Sequence, residues 1–231
     1  MAIELIICPT CFSKNVNLYG KTKLNKQRYR CKNCHRAFIL DYSYNGHKKQ
    51  VLEYIVPMTL NGSGIRDISR VLNISVNTVL NVIRNRATFL PPSASVLPPG
   101  TVQNVEIDEL WSYVARKSNQ RWLWYAYERD QKKILAFVID RRTDDACQRI
   151  VRMLSLYTIE HIYTDNWDSY TKYVDPQCHI ISKVETQRIE RMNLNFRTHL
   201  KRLQRKTICF SKSDDMHYAV LSLYINYENS S

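Results

Sequence analysis

A stretch of alternating apolar and polar residues, QNVEIDELWSY at positions 103–113, predicts a β-strand in the second half of the chain. Its apolar side chains occur at alternate positions: Val105, Ile107, Trp111 and Tyr113. Successive side chains of a strand point to opposite faces, so three polar residues share the other face: Glu106, Asp108 and Ser112. A buried carboxylate without a partner is costly, so Asp108 needs an exposed strand end, a partner cation or a bound metal.

The elements after this strand follow the order of an α/β fold. Two β-rich runs, 121–128 and 133–140, are expected to continue the first strand as an antiparallel meander. Four helices and two short strands are then predicted: a helix over 143–154, a strand over 161–165, a helix over 169–173 capped by Asp168, a strand over 179–182, and helices over 186–205 and 214–227. Three antiparallel strands followed by alternating helices and strands is the element order of a ribonuclease-H-like fold.

Helical periodicity dominates residues 46–88. One helix is expected over residues 47–59, and two more are expected on either side of the turn at residues 73–75, where Ser75 suits an N-cap. This outline predicts a helix-turn-helix whose second helix presents four side chains to a DNA groove: Asn77, Thr78, Asn81 and Arg84. Helical hairpins also occur in bundles that do not touch DNA.

Two cysteine pairs predict a zinc ribbon at the start of the chain. Cys8-Pro-Thr-Cys11 and Cys31-Lys-Asn-Cys34 provide four thiolates at the spacing of a tetrahedral zinc site. Short strands are expected over residues 16–19, 27–30 and 37–40. Four free or buried thiols are the alternative, but a unit of about 45 residues has little core and needs a bound metal to hold it. Its basic side chains, including Lys23 and Arg28, suit phosphate groups.

A proline-rich stretch, FLPPSASVLPPG, separates the two halves and cannot continue a helix. We therefore expect four regions: a zinc ribbon over residues 1–45, a helix-turn-helix region over 46–88, a linker over 89–102 and an α/β domain over 103–231. At 231 residues and 44% hydrophobic content the chain can bury a core.

The charge distribution indicates a polyanionic partner. The net charge is +13, and residues 1–102 carry 14 Lys and Arg against 4 Asp and Glu. Within residues 183–212, which include Lys201 and Arg205, nine residues are basic and two are acidic. A surplus of this size favours double-stranded DNA as the partner, although an ordinary basic surface is the plainer interpretation.

Signal peptides, membrane-spanning segments and the pattern of cysteines indicate the cellular compartment. The start of the chain does not resemble a signal peptide, and no apolar run approaches the roughly 20 residues that span a bilayer. Paired cysteines fit a reducing compartment, and Cys147, Cys178 and Cys209 are expected to be core thiols. We expect a cytoplasmic, nucleoid-associated protein without a membrane partner.

Three carboxylates occupy informative places in the second half. Asp108 lies within the first strand, Asp165 ends a later strand, and Glu190 borders the apolar face of a long helix. Carboxylates that converge repel one another until divalent cations such as Mg²⁺ or Mn²⁺ bind between them. Two such ions would support phosphoryl transfer.

Other roles for these acids stay open at this point. Glu106 shares the face of Asp108 and is an alternative ligand, whereas Glu109 points the other way and is expected at the surface. Asp165 and Asp168 both suit turns. Glu190 has a further alternative, a pair with Arg197 or Asn193 on the helix surface.

The chain resembles transposases of the insertion sequence 1 family. The matching pieces are CPTC…CKNC, the helix-turn-helix, VEIDELW, YTDNWDSY and TQRIERMNLNFRTHLKRLQRKTICFSKS. The resemblance implies a catalytic triad of Asp108, Asp165 and Glu190, with Arg197 in a position where many such enzymes keep a basic residue. It also implies Mg²⁺-dependent cleavage and joining of DNA at the inverted repeats of a mobile element, and we expect a homo-oligomer on element ends and target DNA.

Two other functions compete with this interpretation. A nuclease of the same fold would cut without joining. A zinc-dependent DNA-binding regulator would have a C-terminal domain without activity, and the intact acids argue against it.

Overall fold

The computed structural model describes residues 5–88, residue 90 and residues 100–230. The chain forms two compact units, Met1–His47 and Lys48–Ser231. Within the described ranges, no helix has both the length and the apolar character needed to cross a bilayer.

The first unit is a small antiparallel sheet of three strands. These are β1 (Val16–Lys21), β2 (Gln27–Cys31) and β3 (Ala37–Ile39), in the order β1-β2-β3, followed by a 3-10 turn over Asn45–His47. Only Cys8, Cys31 and Phe38 form its buried hydrophobic cluster among the residues described. The three predicted strands are confirmed, and so small a core leaves the unit dependent on another source of stability.

The second unit begins with four helices: α1 (Lys49–Glu53), α2 (Ile55–Leu60), α3 (Ile65–Leu72) and α4 (Val76–Thr88). The prediction of one helix over residues 47–59 is wrong, because the helix is interrupted at Tyr54. Pro57 has no N–H to donate to the carbonyl of Glu53, and its ring crowds that carbonyl.

The turn between α3 and α4 has the geometry that the sequence predicts. Asn73 adopts a left-handed conformation with φ of 51°, and the N–H of Ile74 donates to the carbonyl of Ser69 at 3.0 Å. Ser75 is the N-cap, since its Oγ accepts a hydrogen bond from the N–H of Thr78 at 3.0 Å. The helix-turn-helix is therefore confirmed, and its tight turn follows from local hydrogen bonding.

A five-stranded mixed sheet forms the centre of the second unit. Its elements are β4 (Thr101–Tyr113), β5 (Gln120–Glu128), β6 (Lys133–Asp140), α5 (Asp144–Leu154), β7 (Thr158–Thr164), α6 (Asp168–Tyr173), β8 (His179–Ile181), α7 (Gln187–His199) and α8 (Asp214–Ser230). The strand order is β6-β5-β4-β7-β8. β5 pairs antiparallel with β4 and β6, whereas β7 pairs parallel with β4 and β8. This is the predicted ribonuclease-H-like α/β fold.

The two faces of the sheet contribute to separate hydrophobic cores. Val105 and Ile107 of β4 pack in a core with residues of α5 and α6, whereas Leu110 packs in a core with residues of α7 and α8. Residues of α2, α3 and α4 belong to this second core, and α4 lies against α8.

The helix-turn-helix therefore belongs to the same compact unit as the sheet, whereas the sequence predicts a separate region over 46–88. The apolar faces of its short helices need a partner, and α8 provides one. The expected linker over 89–102 lies mostly outside the described residues, and its last two residues begin β4.

Two helix ends differ from the predictions. The long helix ends at His199 rather than at residue 205, because Leu200 is extended and a 3-10 turn, Lys201–Leu203, follows. Leu200 and Leu203 are nevertheless buried, so their apolar spacing reflects packing after the helix has ended. Asp168 is the first residue of α6 and does not cap it; Trp167 holds the N-cap position, without a side-chain cap bond.

Candidate active site and metal centre

The four paired cysteines converge in the first unit. Their ligand atoms all lie within 4.8 Å of one another. The sulfur of Cys8 is 3.5 Å from that of Cys34, and the sulfurs of Cys11 and Cys31 are also 3.5 Å apart. A tetrahedral zinc site with Zn–S bonds of about 2.3 Å places its sulfurs about 3.8 Å apart, so the donor set and spacing fit a structural zinc ion.

The other three cysteines are not all core thiols. Cys147 is buried and Cys178 is half-buried, whereas Cys209 is exposed. The prediction for Cys209 is wrong, because Cys209 is exposed in the loop between α7 and α8.

Asp108 lies in the middle of β4, opposite Tyr125 of β5. Its carboxylate is half-buried and accepts a hydrogen bond from Nδ2 of Asn193, on α7, at 2.6 Å. The Tyr125 hydroxyl donates toward Oδ1 of Asn193 at 2.9 Å, which fixes the orientation of that amide. Sequence reasoning missed Tyr125, and treated Asn193 only as a partner for Glu190.

The structure brings Asp165 and Glu190 near Asp108. Asp165 directly follows β7, the parallel neighbour of β4, and Glu190 lies exposed in the first turn of α7. The pKa of Asp108 is raised to about 6, mainly because the carboxyl group is buried; the charges of Asp165 and Glu190 act in the same direction, whereas hydrogen bonds from the backbone of Glu109 and the side chain of Asn193 oppose the shift. The three acids therefore form one electrostatically coupled group.

This acidic group is looser than the cysteine cluster. Among the described residues, the four cysteines are the one group of three or more Cys, His, Asp or Glu side chains that lie close enough together to hold a metal ion. Carboxylates of like charge resist closer approach, and Asp165 is also engaged locally, since its Oδ1 accepts the N–H of Trp167 at 3.2 Å.

Glu106 has a different environment from Asp108, although both side chains lie on one face of β4. Glu106 is fully buried, and its Oε1 pairs with Nε of Arg129 at 2.6 Å. Its Oε2 accepts a hydrogen bond from the N–H of Ile189 at 2.7 Å. Burial raises the pKa of Glu106, while the hydrogen bond from Ile189 and the charge of Arg129 lower it. Both oxygens are committed within the protein.

The prediction that Glu109 lies at the surface is wrong. Its side chain is 3% exposed and pairs with Arg142, whose Nε donates at 2.6 Å. The hydroxyl of Tyr170 donates to the other oxygen at 2.7 Å. Burial raises the pKa of Glu109 to about 7. Glu109 does point away from Glu106 and Asp108, but that face of β4 is covered by α5 and α6, which the alternation of the strand cannot reveal.

Arg197 lies beyond Asn193 on α7. Its Nη1 donates to the carbonyl of Leu203 at 3.2 Å. Burial lowers the pKa of Arg197, the charge of Arg205 lowers it further, and the charge of Asp108 raises it. Arg197 therefore lies close to both Asp108 and Arg205. Lys201 and Arg205 are exposed just after α7.

Most residues predicted to contact DNA have accessible side chains. On α4, Asn77, Asn81 and Arg84 are exposed and Thr78 is half-buried. In the first unit Lys23 is exposed, and the guanidinium of Arg28 lies 5.0 Å from the centre of the Tyr19 ring. Exposed polar and basic side chains on a second helix of this motif can contact base edges and phosphates.

A zinc ribbon, a helix-turn-helix and a ribonuclease-H-like domain with converging acids define a class of proteins that bind DNA and cleave or join its strands. The comparison with known families is specific within this class. The profile of the IS1 transposase family matches residues 101–230. The InsA C-terminal domain, a helix-turn-helix, matches residues 42–87, and the InsA N-terminal domain, a zinc ribbon, matches residues 1–35.

Individual relatives agree with these profiles. The chain is 44% identical over 120 residues to the insertion element iso-IS1n protein InsB of Shigella dysenteriae. The aligned region covers 52% of this chain and 92% of that protein. It is 43% identical over 137 residues to the insertion element IS1 4 protein InsB of Escherichia coli (strain K12). The aligned region covers 58% of this chain and 82% of that protein. The chain belongs to the IS1 transposase family and is a DDE-type DNA transposase.

Proposed function

We propose that this transposase binds the terminal inverted repeats of its insertion sequence and catalyses strand cleavage and strand transfer with Asp108, Asp165 and Glu190. The observation that carries the proposal is the environment of Asp108. Its carboxylate is half-buried beside two other acids. Among the described residues, none of the three forms an ion pair. Uncompensated negative charge of this kind favours a bound cation.

The donor set supports Mg²⁺, or Mn²⁺ in its place, because all three groups are carboxylate oxygens, which hard divalent cations prefer. When bound, such ions activate the attacking hydroxyl and stabilise the leaving oxygen of a phosphodiester. The chain's own residues hold the geometry: Asn193 orients Asp108, and Tyr125 orients Asn193. In this proposal Arg197, whose charge interacts with that of Asp108, contacts a phosphate of the bound strand.

Glu106 is not a ligand in this proposal. Each of its oxygens already accepts a hydrogen bond, and breaking a buried pair with Arg129 would cost several kcal/mol. Glu106 instead positions the helix that carries Glu190. Glu109 has a similar role on the opposite face, since it binds Tyr170 on α6, the helix that follows Asp165.

We assign recognition of the element ends to α4 and phosphate contacts to basic side chains elsewhere. Asn77, Thr78, Asn81 and Arg84 read the DNA, while Lys23 and Arg28 bind backbone phosphates. Near the active site, Lys201 and Arg205 follow α7. A groove of 780 Å³ beside α7 adds further cations, including Lys132, Arg188 and Arg191. Such a path of positive charge suits a long DNA duplex.

Synapsis of two element ends with target DNA would require more than one catalytic site, so we propose that the chain acts as a homo-oligomer on DNA. Its DNA partners place it in the cytoplasm with the nucleoid. Sedimentation of the protein with and without paired element ends measures the oligomeric state directly.

The test is a cleavage and joining assay with the ends of its own element, a target plasmid and Mg²⁺. Asp108→Asn, Asp165→Asn or Glu190→Gln should each reduce cleavage by about 10³-fold or more while end binding persists. Asp168→Asn is the matched control, because Asp168 is exposed on α6 and should retain activity.

The same assay separates the competing functions. Nicked products without joined products indicate a nuclease, and end binding without any cleavage indicates a regulator. Asp168→Asn losing as much cleavage as Asp165→Asn would contradict the assignment of Asp165.

A further inference from the structure

Ile208 is exposed in a basic loop between α7 and α8. Its exposure is 88%, the highest of the large hydrophobic side chains in the described part of the chain. Residues 204–212, here called the tip loop, also contain Arg205, Lys206 and Lys212. Single apolar side chains are common on protein surfaces. What distinguishes Ile208 is the way in which the protein supports this loop.

A buried polar network fixes the base of the tip loop. His217 lies between two hydroxyls, with Nδ1 2.8 Å from Oγ of Ser211 and Nε2 3.1 Å from Oγ of Ser112. Nη1 of Arg202 also donates to Oγ of Ser211, at 2.9 Å. The carbonyl of Ser211 accepts the N–H of Ala115 at 2.8 Å, which joins the loop to the end of β4.

Contacts within the tip loop hold the segment around Ile208. The hydroxyl of Tyr113 donates to the carbonyl of Thr207 at 3.2 Å. The ring of Phe210 packs at a tilt against Tyr113, with a centroid distance of 5.0 Å, and Nζ of Lys212 lies 3.7 Å from the Phe210 centroid. The residues on both sides of Ile208 are therefore anchored while the Ile208 side chain itself extends into solvent.

The tip loop starts beside the proposed active site. The carbonyl of Leu203, just before the loop, accepts a hydrogen bond from Arg197, and the charges of Arg205 and Asp108 both reach Arg197. At its other end, Ser211 bridges Val114, which directly follows β4 and is six residues from Asp108. Six residues of strand span about 20 Å, which corresponds to about six stacked base pairs.

We propose that Ile208 inserts between stacked bases of the DNA held at the active site, while Arg205, Lys206 and Lys212 bind the flanking phosphates. This inference rests on the proposed function. An apolar wedge on a rigid loop can unstack a base step, and contacts to phosphates offset the cost of the distortion. Opening the duplex close to the cleaved phosphate would give the acidic group access to a strand that stacking otherwise holds in place.

The experiment uses the full chain, Mg²⁺-free buffer and duplexes that carry 2-aminopurine at one of the six base pairs on either side of the cleaved phosphate. One set of duplexes contains an element end and another contains target DNA only, so that the fluorescence identifies which DNA is distorted. We expect a several-fold rise in fluorescence with wild type, and the same rise with the inactive Asp108→Asn variant. Ile208→Ser should abolish the rise, whereas Leu156→Ser, at an exposed apolar residue after α5, should preserve it.

Cleavage of mismatched ends distinguishes loss of base insertion by Ile208 from loss of the loop structure. With Mg²⁺, Ile208→Ser should lower cleavage of paired ends by about 10- to 100-fold, since unstacking costs a few kcal/mol. On ends that already carry a mismatch at the distorted step, Ile208→Ser should cleave within about threefold of the wild-type rate, because the bases there are already unstacked. Lys206→Ala should instead weaken binding to both substrates equally.

The outcomes for the wedge and for the proposed function are distinct. Wild-type protein that cuts the ends without a fluorescence change, or Ile208→Ser that leaves the change intact, overturns the wedge and leaves the triad untouched. A fluorescence rise that depends on Ile208, in a protein that never cuts or joins DNA, supports the wedge and overturns the proposed catalysis.

Discussion

The carboxylate of Glu106 in β4 accepts a hydrogen bond from the backbone N–H of Ile189 in α7, at 2.7 Å. The first N–H groups of a helix have no partner within the helix, and α7 has no side-chain cap of its own. Glu106 supplies this partner from the sheet, and its negative charge also suits the N-terminus of the helix. Because Glu190 follows Ile189 directly, one residue of β4 sets the position of Glu190 relative to Asp108.

Glu106→Gln should therefore impair both stability and catalysis. The amide can still accept from Ile189, but Arg129, which is 10% exposed, loses its buried partner. We expect the free energy of unfolding to fall by about 2–4 kcal/mol, measured by urea denaturation, with a parallel loss of cleavage. Glu185→Gln is the control, because this 51% exposed carboxylate pairs with the same Arg129 and should contribute less than about 1 kcal/mol. Equal losses for the two variants would contradict the capping role.

Asp108→Asn should stabilise the protein when divalent cations are absent. The substitution removes a half-buried charge from the neighbourhood of Asp165 and Glu190 but leaves an oxygen for Asn193. We expect a higher melting temperature than wild type in EDTA at pH 8. Added Mg²⁺ should raise the melting temperature of wild type and have little effect on the variant. A variant that is less stable in EDTA would show that Asp108 has a cationic partner instead.

His217 should make stability depend on pH. The pKa of His217 is lowered from 6.5 to about 3, mainly by burial; the charge of Arg202 acts in the same direction and that of Asp214 opposes it. Below pH 6.5 the histidine is protonated in the unfolded chain but stays neutral in the folded protein. The free energy of unfolding therefore falls by about 1.4 kcal/mol for each unit by which the pH is lowered. Above pH 6.5 this contribution is fully present.

His217→Asn should flatten that slope between pH 6.5 and pH 4, measured by urea denaturation across the range. His161→Asn, which changes an exposed histidine, should keep the wild-type slope. A wild-type slope in His217→Asn would mean that another group carries the pH dependence.

Removal of zinc should unfold the first unit selectively. The buried hydrophobic cluster of that unit, as described, consists of three residues, so the four thiolates are expected to provide most of its stability through the metal. Purified protein should contain about one zinc per chain, and Cys31→Ser should lose it together with the amide dispersion of residues 5–47 in NMR spectra. Cys209→Ser, at an exposed cysteine, should retain both. A metal-free first unit that keeps its dispersion would contradict this assignment.

Recognition and phosphate binding should respond differently to mutation. Asn81→Ala, on the exposed face of α4, should reduce the preference for element ends over unrelated DNA by about 1–3 kcal/mol. Lys23→Ala should weaken binding to all sequences and reduce the slope of log K against log salt by about one. Fluorescence anisotropy over a salt series measures both quantities. If neither variant changes binding, the DNA-binding residues lie elsewhere in the chain.

The sequence by itself determined the elements and the chemistry that depend on local spacing. The paired cysteines, the turn at Asn73 and Ser75, and the order of strands and helices along the α/β domain all follow from residues close together in the chain. Their physical causes are ligand spacing, hydrogen bonds over three to five residues, and the two periodicities of strand and helix. The family resemblance also pointed to Asp108, Asp165 and Glu190 as a group.

Only the tertiary structure decided how the neighbours of Asp108 differ from one another. Glu106 and Glu109 are acids on the same strand, yet each is buried and paired, because Arg129 and Arg142 reach them from outside β4. Alternation along a strand assigns faces but not what covers each face. The network of His217 and the exposure of Ile208 likewise depend on contacts between residues about 100 positions apart in sequence, which no local pattern encodes.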